Sequence, residues 1–272
     1  MINILEIIKA LILGVIQGIS EWLPISSTGH LILAEHWMPF KLAVPFADTF
    51  FVVIQVGSIL AVVLLFFNKL NPFSPKKDAV QRQDTLILWS KILVASVPAA
   101  IIGLLFNDVI DQYLYTPFVV AATLIIYAVA ILNVEKRNKK ATISSFGQIS
   151  YKTAALIGAF QVLALVPGTS RSGATILGAI LLGTSRIVAS EFSFFMAIPV
   201  MLGAGGLKLL KAGFAFTGIE WFVLFTGFIT AFVVSLFAIR FLLNYIRKHD
   251  FTVFAYYRIA LALVVLTLLF VK

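Results

Sequence analysis

Residues 17–30 read QGISEWLPISSTGH, and this stretch decides the fold because it interrupts an otherwise apolar segment with polar groups. It carries an amide, a carboxylate, four hydroxyls and an imidazole. Pro24 has no backbone N–H and Gly29 is conformationally free, so a helix that begins near Ile4 is predicted to break here. Irregular backbone at membrane depth needs cover from protein or water, and ionisable groups there are costly. The stretch is therefore predicted to line a polar cavity that serves as a functional site.

The composition supports a membrane environment for this stretch. The chain has 272 residues, of which 61% are hydrophobic and 12% charged, and its mean hydropathy is +1.03. A soluble domain cannot cover so much apolar surface, and the apolar runs are too long for a membrane β-barrel. Cysteine is absent, which excludes disulfides and thiolate chemistry. The net charge of +9 comes mostly from loops between apolar runs, which fits membrane topology better than nucleic-acid binding.

The order of apolar segments predicts an all-α polytopic membrane protein. Two segments break near their middle, at Pro24 and at Pro167-Gly168, and resume as short helices. Each is too short to cross a membrane twice, so we predict two re-entrant helical hairpins. Six transmembrane helices are predicted at residues 46–67, 86–106, 118–134, 189–207, 221–243 and 253–271. An acidic loop is predicted at residues 107–116 and a basic linker at residues 136–140.

The two halves of the chain are similar at a shift of 144 residues. The shift aligns Gly14 with Gly158, Gln17 with Gln161, Ser26 with Ser170, Thr28 with Ser172 and Gly29 with Gly173. We therefore predict one membrane domain, residues 1–272, with repeats at 1–138 and 150–272, each a hairpin plus three spans. An odd number of crossings inverts the second repeat, so the hairpins are expected to enter from opposite faces and meet near mid-bilayer. Chance similarity among apolar helices is the alternative.

Basic residues concentrate on one predicted face of the membrane. That face receives Lys69, Lys76, Lys77, Arg82, the linker, Arg247 and Lys248, whereas the other receives Lys41, Lys208, Lys211 and Lys272. The positive-inside rule makes the first face cytoplasmic. This predicts a multi-pass protein of a bacterial plasma membrane, with the mouth of the first hairpin facing outward.

Both hairpins carry groups suited to an anion. Each is predicted to bring the start of a short helix to the membrane centre, where free N–H groups and the helix dipole favour negative charge. Arg171 adds paired donors that match phosphate oxygens. The hydroxyl residues of this predicted phosphate site are Ser26, Ser27, Thr28, Thr169, Ser170 and Ser172. Alternatively, the serines cap the short helices and Arg171 reaches the membrane surface.

Glu21 lies four residues after Gln17, so their side chains share a helix face. A carboxylate repels bound phosphate unless a hard cation lies between them, which predicts Mg²⁺ or Ca²⁺ held by Glu21, Gln17 and phosphate oxygens. A neutral carboxyl at Glu21 and a helix–helix hydrogen bond at Gln17 are the alternatives.

His30 follows Ser27 by three residues, within reach across one helical turn. A neutral imidazole there can take a proton from the hydroxyl or give one to a leaving oxygen, so both are candidate catalytic residues together with Glu21 and Arg171. A lone histidine is more often a structural hydrogen-bonding residue, but the neighbouring hydroxyl favours catalysis. Glu191 is expected to pair with Arg186 or Arg171.

Three motifs together resemble those of the bacterial undecaprenyl-diphosphate phosphatases of the bacitracin-resistance type. They are Gln17-x-x-x-Glu21, PISSTGH at residues 24–30 and PGTSRSGAT at residues 167–175, and length and span layout match over essentially the whole chain. The resemblance implies a membrane enzyme that removes the terminal phosphate of a C55 polyprenyl diphosphate, depends on a divalent cation and recycles the lipid carrier for peptidoglycan.

When the family's motifs are matched to this sequence residue by residue, the resemblance implies the same site. The acidic motif falls on Gln17 and Glu21, the serine–histidine motif on Ser26, Ser27, Thr28 and His30, and the arginine motif on Ser170, Arg171 and Ser172. Many family members have Glu where this chain has Gln17. Glu21 is then expected to act without a second carboxylate.

A transporter or lipid flippase is the competing prediction, because inverted repeats with broken helices are transporter architecture. A carrier needs only the anion site, whereas the pair of Ser27 and His30 favours catalysis. A non-catalytic scaffold leaves the charged residues at membrane depth unexplained. The expected partners are the polyprenyl diphosphate and membrane lipids, and the oligomeric state, a homodimer included, is left open.

Overall fold

The computed structural model describes residues 2–42, 44–212 and 216–269. Within these ranges the chain is helical apart from turns, one short 3-10 helix at Phe146–Gln148 and one isolated β-bridge. The α-helices of the described chain are α1 (Ile2–Ser20), α2 (Ser27–Trp37), α3 (Val44–Leu65), α4 (Phe67–Leu70), α5 (Ala79–Leu114), α6 (Pro117–Lys136), α7 (Tyr151–Leu163), α8 (Arg171–Leu181), α9 (Arg186–Ala212), α10 (Gly218–Ile246) and α11 (Thr252–Thr267).

Five helices in the described ranges are long and apolar enough to cross a membrane: α3, α5, α6, α9 and α10. The sixth predicted span corresponds to α11, a shorter apolar helix of 16 residues; its predicted end at residue 271 lies outside the described residues. Large apolar side chains such as Leu104, Phe118 and Phe237 point away from the protein and are more than half exposed, as contact with lipid requires. The prediction of an all-α, multi-span membrane protein is confirmed.

The two predicted breaks have the same backbone structure. Ser26 precedes α2 with φ 73°, and Ser170 precedes α8 with φ 71°. Each side-chain oxygen accepts a hydrogen bond from the N–H of a glycine three residues on, at 3.2 Å from Gly29 and 3.1 Å from Gly173. A left-handed conformation is uncommon for a non-glycine residue. Because this conformation recurs at two aligned positions, it argues against a chance similarity between the two halves. The inversion of one half relative to the other stays a prediction.

Helix packing follows the same correspondence between halves. Helix α1 packs on α10, and its counterpart α7 packs on α5; α3 and α9 contact each other, as do α6 and α11. A Cβ atom at Gly14 would lie 2.7 Å from the carbonyl oxygen of Gly227, and one at Gly158 would lie 2.2 Å from that of Ala95. Both aligned glycines therefore allow a helix pair to approach more closely than any side chain would permit.

Helix α5 extends beyond the predicted second span at both ends, although the candidate membrane span within it ends at Phe106, as predicted. Helix α5 begins at Ala79 rather than near residue 86, because Asp78 caps it in a capping box with Gln81. It also continues to Leu114, so the acidic loop predicted at residues 107–116 is helical over most of its length. Residues 107–114 contain no glycine or proline to stop the helix, which ends shortly before Pro117.

The two breaks lie against each other in the interior. The Ser172 hydroxyl is 3.2 Å from the carbonyl oxygen of Glu21 and 3.2 Å from that of Leu23, so the start of α8 is tied to the segment after α1. Trp22 is fully buried beside this junction and packs edge-on against Phe194 of α9. The polar residues of both halves therefore meet in one place.

Candidate active site

The carboxylate of Glu21 lies at the centre of this junction and is 7% exposed. Its Oε1 accepts a hydrogen bond from Arg171 Nη2 at 2.8 Å. Its Oε2 accepts one from Ser27 Oγ at 2.9 Å and one from Gln17 Nε2 at 3.0 Å. The structure thus brings together four residues that the sequence proposed for the site, three from the first half and one from the second.

Arg171 is held in the interior rather than at the membrane surface. Its Nη1 donates to the backbone oxygen of Ser193 at 3.1 Å and lies 3.3 Å from its hydroxyl oxygen. The guanidinium carbon lies 5.5 Å from the centre of the Trp22 ring. The alternative in which Arg171 reaches the surface is therefore wrong, and Ser193 of α9 is a supporting residue that the sequence reasoning missed.

Three of the remaining hydroxyls, those of Ser26, Ser170 and Ser172, contact backbone groups. Ser26 and Ser170 cap α2 and α8, so the capping alternative is confirmed for both. The hydroxyl oxygens of Ser170 and Ser172 are 3.2 Å apart. Thr169 is buried and Thr28 is half-buried beside the same helix starts. Phosphate binding by these hydroxyls stays a prediction.

His30 has its two ring nitrogens engaged away from Ser27. Nδ1 lies 2.7 Å from the backbone oxygen of Ser26, and Nε2 lies 2.7 Å from the hydroxyl of Tyr257. A carbonyl only accepts, so Nδ1 carries the hydrogen and Nε2 of the neutral ring accepts from the tyrosine. The predicted hydrogen bond between Ser27 and His30 is thus replaced: Ser27 faces Glu21 from the first turn of α2, and His30, one turn on, faces α11.

Arg258 of α11 is a residue of the site that the sequence reasoning missed. It is fully buried, and its Nη2 donates to the carbonyl oxygens of Gly168 at 3.0 Å and Thr169 at 2.9 Å. Its Nη1 donates to the carbonyl oxygen of Pro24 at 3.2 Å. One guanidinium therefore joins the two breaks. A charged residue in the middle of the last apolar run was the signal that pointed to it.

The ion pairs predicted for Glu191 are wrong. Its Oε2 is 2.6 Å from Lys69 Nζ, while Arg186 binds Glu135 at the end of α6. Residues five apart on a helix are separated by about 140° around its axis, so Glu191 and Arg186 face different neighbours. Both observed partners come from other helices, which sequence spacing does not reveal.

Residues 10–264 match the family described as "Bacitracin resistance protein BacA". The chain belongs to this family. Undecaprenyl-diphosphatase 1 of Clostridioides difficile is 56% identical over 268 residues, which cover 98% of each chain. The undecaprenyl-diphosphatase of Enterococcus faecalis is 53% identical over 269 residues, covering 97% of this chain and 98% of the relative. That of Acetivibrio thermocellus is 56% identical over 263 residues, covering 96% and 97%.

The two repeats of this BacA-family chain contribute unequally to the site. The 144-residue shift that aligns the breaks places Arg171 opposite Ser27 and Leu165 opposite Glu21. The first half thus supplies the carboxylate and a hydroxyl, and the second supplies the positive charge. The pairing of Glu21 with Arg171 joins the two halves of the chain.

Gln17 and Glu21 are the residues of the BacA-family site suited to a divalent cation. Gln17 Oε1 is buried and has no hydrogen-bond partner among the described residues, so an oxygen ligand remains to be used. No cluster of three or more His, Cys, Asp or Glu side chains that could hold a metal occurs in the described ranges. The donor set fits a cation that takes its other ligands from phosphate and water, as Mg²⁺ commonly does.

Proposed function

We propose that the chain hydrolyses undecaprenyl diphosphate to undecaprenyl phosphate and inorganic phosphate, which recycles the lipid carrier for peptidoglycan synthesis and confers bacitracin resistance. Its membership of the BacA family and its identity of 53–56% with named undecaprenyl-diphosphatases support this activity. The observation that carries it is the buried Glu21 carboxylate, which contacts a hydroxyl, an amide and a guanidinium at the junction of two helix starts. Undecaprenyl diphosphate and membrane lipids are the partners of such an enzyme.

The positive groups bind the diphosphate. Arg171 and the first turns of α2 and α8 offer donors to the terminal phosphoryl oxygens, where charge accumulates as the bond breaks. Ser193 and Trp22 hold the guanidinium in place, so binding requires little rearrangement beyond its release from Glu21. The low exposure of these residues strengthens each electrostatic contact.

Ser27 is the proposed nucleophile. Its Oγ attacks the terminal phosphorus, the bond to the bridging oxygen breaks, and the electron pair leaves with undecaprenyl phosphate. The serine proton passes to Glu21 Oε2, the atom that already accepts its hydrogen bond at 2.9 Å. A carboxylate beside a bound cation would be a weak base, but phosphoryl transfer depends more on positioning and charge than on a strong base.

Water completes the proposed reaction. Its oxygen attacks the phosphorus of the phosphoserine, the bond to Ser27 breaks, and Ser27 regains its proton from Glu21. Once the Tyr257 hydroxyl releases it, His30 Nε2 takes one proton of the water, because the Ser26 carbonyl fixes the tautomer with Nε2 unprotonated, and then passes this proton to solvent. Inorganic phosphate leaves. In the alternative route, water attacks the diphosphate directly and Ser27 only donates a hydrogen bond.

Glu21 and Gln17 Oε1 are proposed to hold Mg²⁺ or Ca²⁺ when substrate is bound. The cation supplies charge neutralisation on the diphosphate. The unpartnered amide oxygen of Gln17 supports this assignment. Carboxylate, amide and phosphate oxygens are the ligands that both cations prefer.

We propose that the site opens to the outer face of a bacterial plasma membrane. The predicted cytoplasmic segments share one end of the molecule, since Lys69 Nζ in α4 lies 5.2 Å from the ring of Phe146, which follows the linker. The linker is strongly basic, as cytoplasmic loops are. The first hairpin would then be entered from the opposite side.

Phosphate release by purified protein in detergent tests the activity, because micelles have no two sides between which a flippase could work. Ser27→Ala is expected to abolish release, and a quenched reaction of the unaltered chain should retain phosphate on Ser27. Ser190→Ala is the matched control, since this buried hydroxyl donates only within its own helix, to Arg186. Turnover reduced only ~10²–10³-fold in Ser27→Ala, the usual effect of losing one donor, would favour direct attack by water. Failure of the unaltered chain to release phosphate would favour the flippase.

A further inference from the structure

A cavity lies apart from the active site. It is formed where the linker crosses the ends of α6, α8, α9 and α10. Its volume is about 480 Å³, and its walls come from residues 134–141, 180–187 and 246–247. The chain just after the linker is hydrogen-bonded to the turn between α8 and α9. The N–H groups of Thr142 and Ile143 each donate to the carbonyl oxygen of Gly183 at 2.9 Å. In return, the Ser185 N–H donates to the carbonyl oxygen of Ile143 at 2.8 Å. None of the residues of the Glu21 site lines this cavity.

The lining of the cavity is strongly basic. Its cationic residues are Arg137, Lys139, Lys140, Arg186 and Arg247. The one acidic residue among them is Glu135, which is buried and engaged by Arg186 and by the backbone N–H of Phe251 at 3.1 Å. The other four cationic side chains have no ion pair or side-chain hydrogen bond within the described chain. These four positive charges are exposed around the cavity and have no ion-pair partner among the described residues.

Two neutral groups of the cavity also suit an anion. The cavity reaches the start of α9, where Ser185 Oγ accepts from the Val188 N–H at 3.3 Å and the N–H groups of Arg186 and Ile187 have no carbonyl partner in the helix. Thr184 in the same wall is 3% exposed, and its hydroxyl has no hydrogen-bond partner among the described residues. Buried polar groups nearly always have a partner, so this hydroxyl indicates a missing ligand or water.

We propose that this cavity binds the phosphate headgroup of an anionic phospholipid. Free phosphate offers the same oxygens, but apolar side chains line the cavity beside the charges, including Ile180, Leu181 and Ile187. Leu181 is 47% exposed and Ile187 36% exposed, which leaves apolar surface for acyl chains next to the headgroup site. Basic pockets between helices on the cytoplasmic side of a membrane are typical sites for anionic lipids. The proposal does not depend on the phosphatase activity.

Native mass spectrometry of the detergent-solubilised full chain, titrated with phosphatidylglycerol, tests the proposal. The double variant Arg137→Gln/Arg247→Gln is expected to bind the first phosphatidylglycerol about 30-fold more weakly, because each basic side chain contributes about fivefold near a lipid surface. The matched control is Lys76→Gln/Lys152→Gln, which removes two exposed charges outside the cavity. Both variants should still release phosphate from undecaprenyl diphosphate.

The comparison has three outcomes that overturn the proposal. If the cavity variant and the control lose the same affinity for phosphatidylglycerol, the lipid is held by general attraction to positive charge and not by the cavity. Binding of phosphatidylcholine as tight as that of phosphatidylglycerol would exclude recognition of anionic charge. Displacement of phosphatidylglycerol by millimolar inorganic phosphate, with phosphate retained on the protein, would identify free phosphate as the occupant. A loss confined to the cavity variant and to phosphatidylglycerol supports the site.

Discussion

Arg258→Lys tests whether one buried guanidinium holds the two halves of the active site together. The arginine donates to the carbonyl oxygens of Pro24 and Leu124 from one set of nitrogens and to those of Gly168 and Thr169 from another. A lysine carries the same formal charge, although an ammonium is more strongly hydrated than a guanidinium and so costs more to bury. Its three donors radiate from a single nitrogen and cannot reach carbonyls in both breaks.

The size of the effect follows from the bonds that are lost. The two shortest contacts, at 3.0 Å and 2.9 Å, both go to the second break. A hydrogen bond with a charged donor contributes about 1.5–3 kcal/mol, so losing one break costs about 3–6 kcal/mol. At about 2 °C per kcal/mol for a chain of this size, the unfolding temperature should fall by at least about 6 °C. A shift of about 1 Å between the two breaks would also lower kcat ~10²-fold.

Thermal unfolding in detergent and phosphate-release kinetics on the folded protein measure the two effects. The matched control is Arg240→Lys, because Arg240 is exposed on α10 and has no ion pair or hydrogen bond in the described ranges. A kcat that falls more than KM rises indicates displaced catalytic groups rather than lost substrate contacts. An Arg258→Lys protein with unaltered unfolding temperature and kcat would refute the cross-linking role.

Three further predictions concern charge and topology. Arg171→Lys should lower phosphate release ~10–10²-fold, since an ammonium cannot hold Glu21 and Ser193 as the planar guanidinium does; activity within twofold of the unaltered chain would contradict this. Glu21→Gln should lose turnover. In the presence of chelator, however, calorimetry should show that this variant binds pyrophosphate more tightly than the unaltered chain does. Equal affinities would argue against competition between the Glu21 carboxylate and phosphate for Arg171. Cysteine at position 41 should react with impermeant reagents from outside and cysteine at position 139 only after permeabilisation, and the reverse result would overturn the orientation.

The parts of the site that could be predicted are those determined by residues close together in the sequence. A proline followed by hydroxyl residues and a glycine specifies a helix break and a new cap, and this pattern occurs at Pro24 and again at Pro167. The four-residue spacing of Gln17 and Glu21 likewise predicts that the two side chains meet, as they do at 3.0 Å. Such features depend on covalent neighbours alone.

The parts that could not be predicted depend on partners distant in sequence. Arg258 is marked in the sequence as a charge within an apolar run, but only packing shows that it reaches the carbonyls of both breaks. The same holds for Tyr257, which occupies His30 Nε2, since the two residues lie 227 positions apart. Sequence spacing favoured Ser27 as the partner of His30, but tertiary packing turned each side chain toward a different helix.

The ion pair of Glu21 with Arg171 explains why a site with one carboxylate should depend on a cation. Both groups are largely buried, and their opposite charges compensate each other in this pair. If phosphate takes Arg171, Glu21 is left as an uncompensated buried charge, which costs several kcal/mol. A divalent cation held by Glu21 and Gln17 Oε1 would remove that cost, so substrate and cation are expected to bind together. Glutamine at position 21 leaves no charge behind, which is why that variant should bind pyrophosphate without a cation and still fail to turn over.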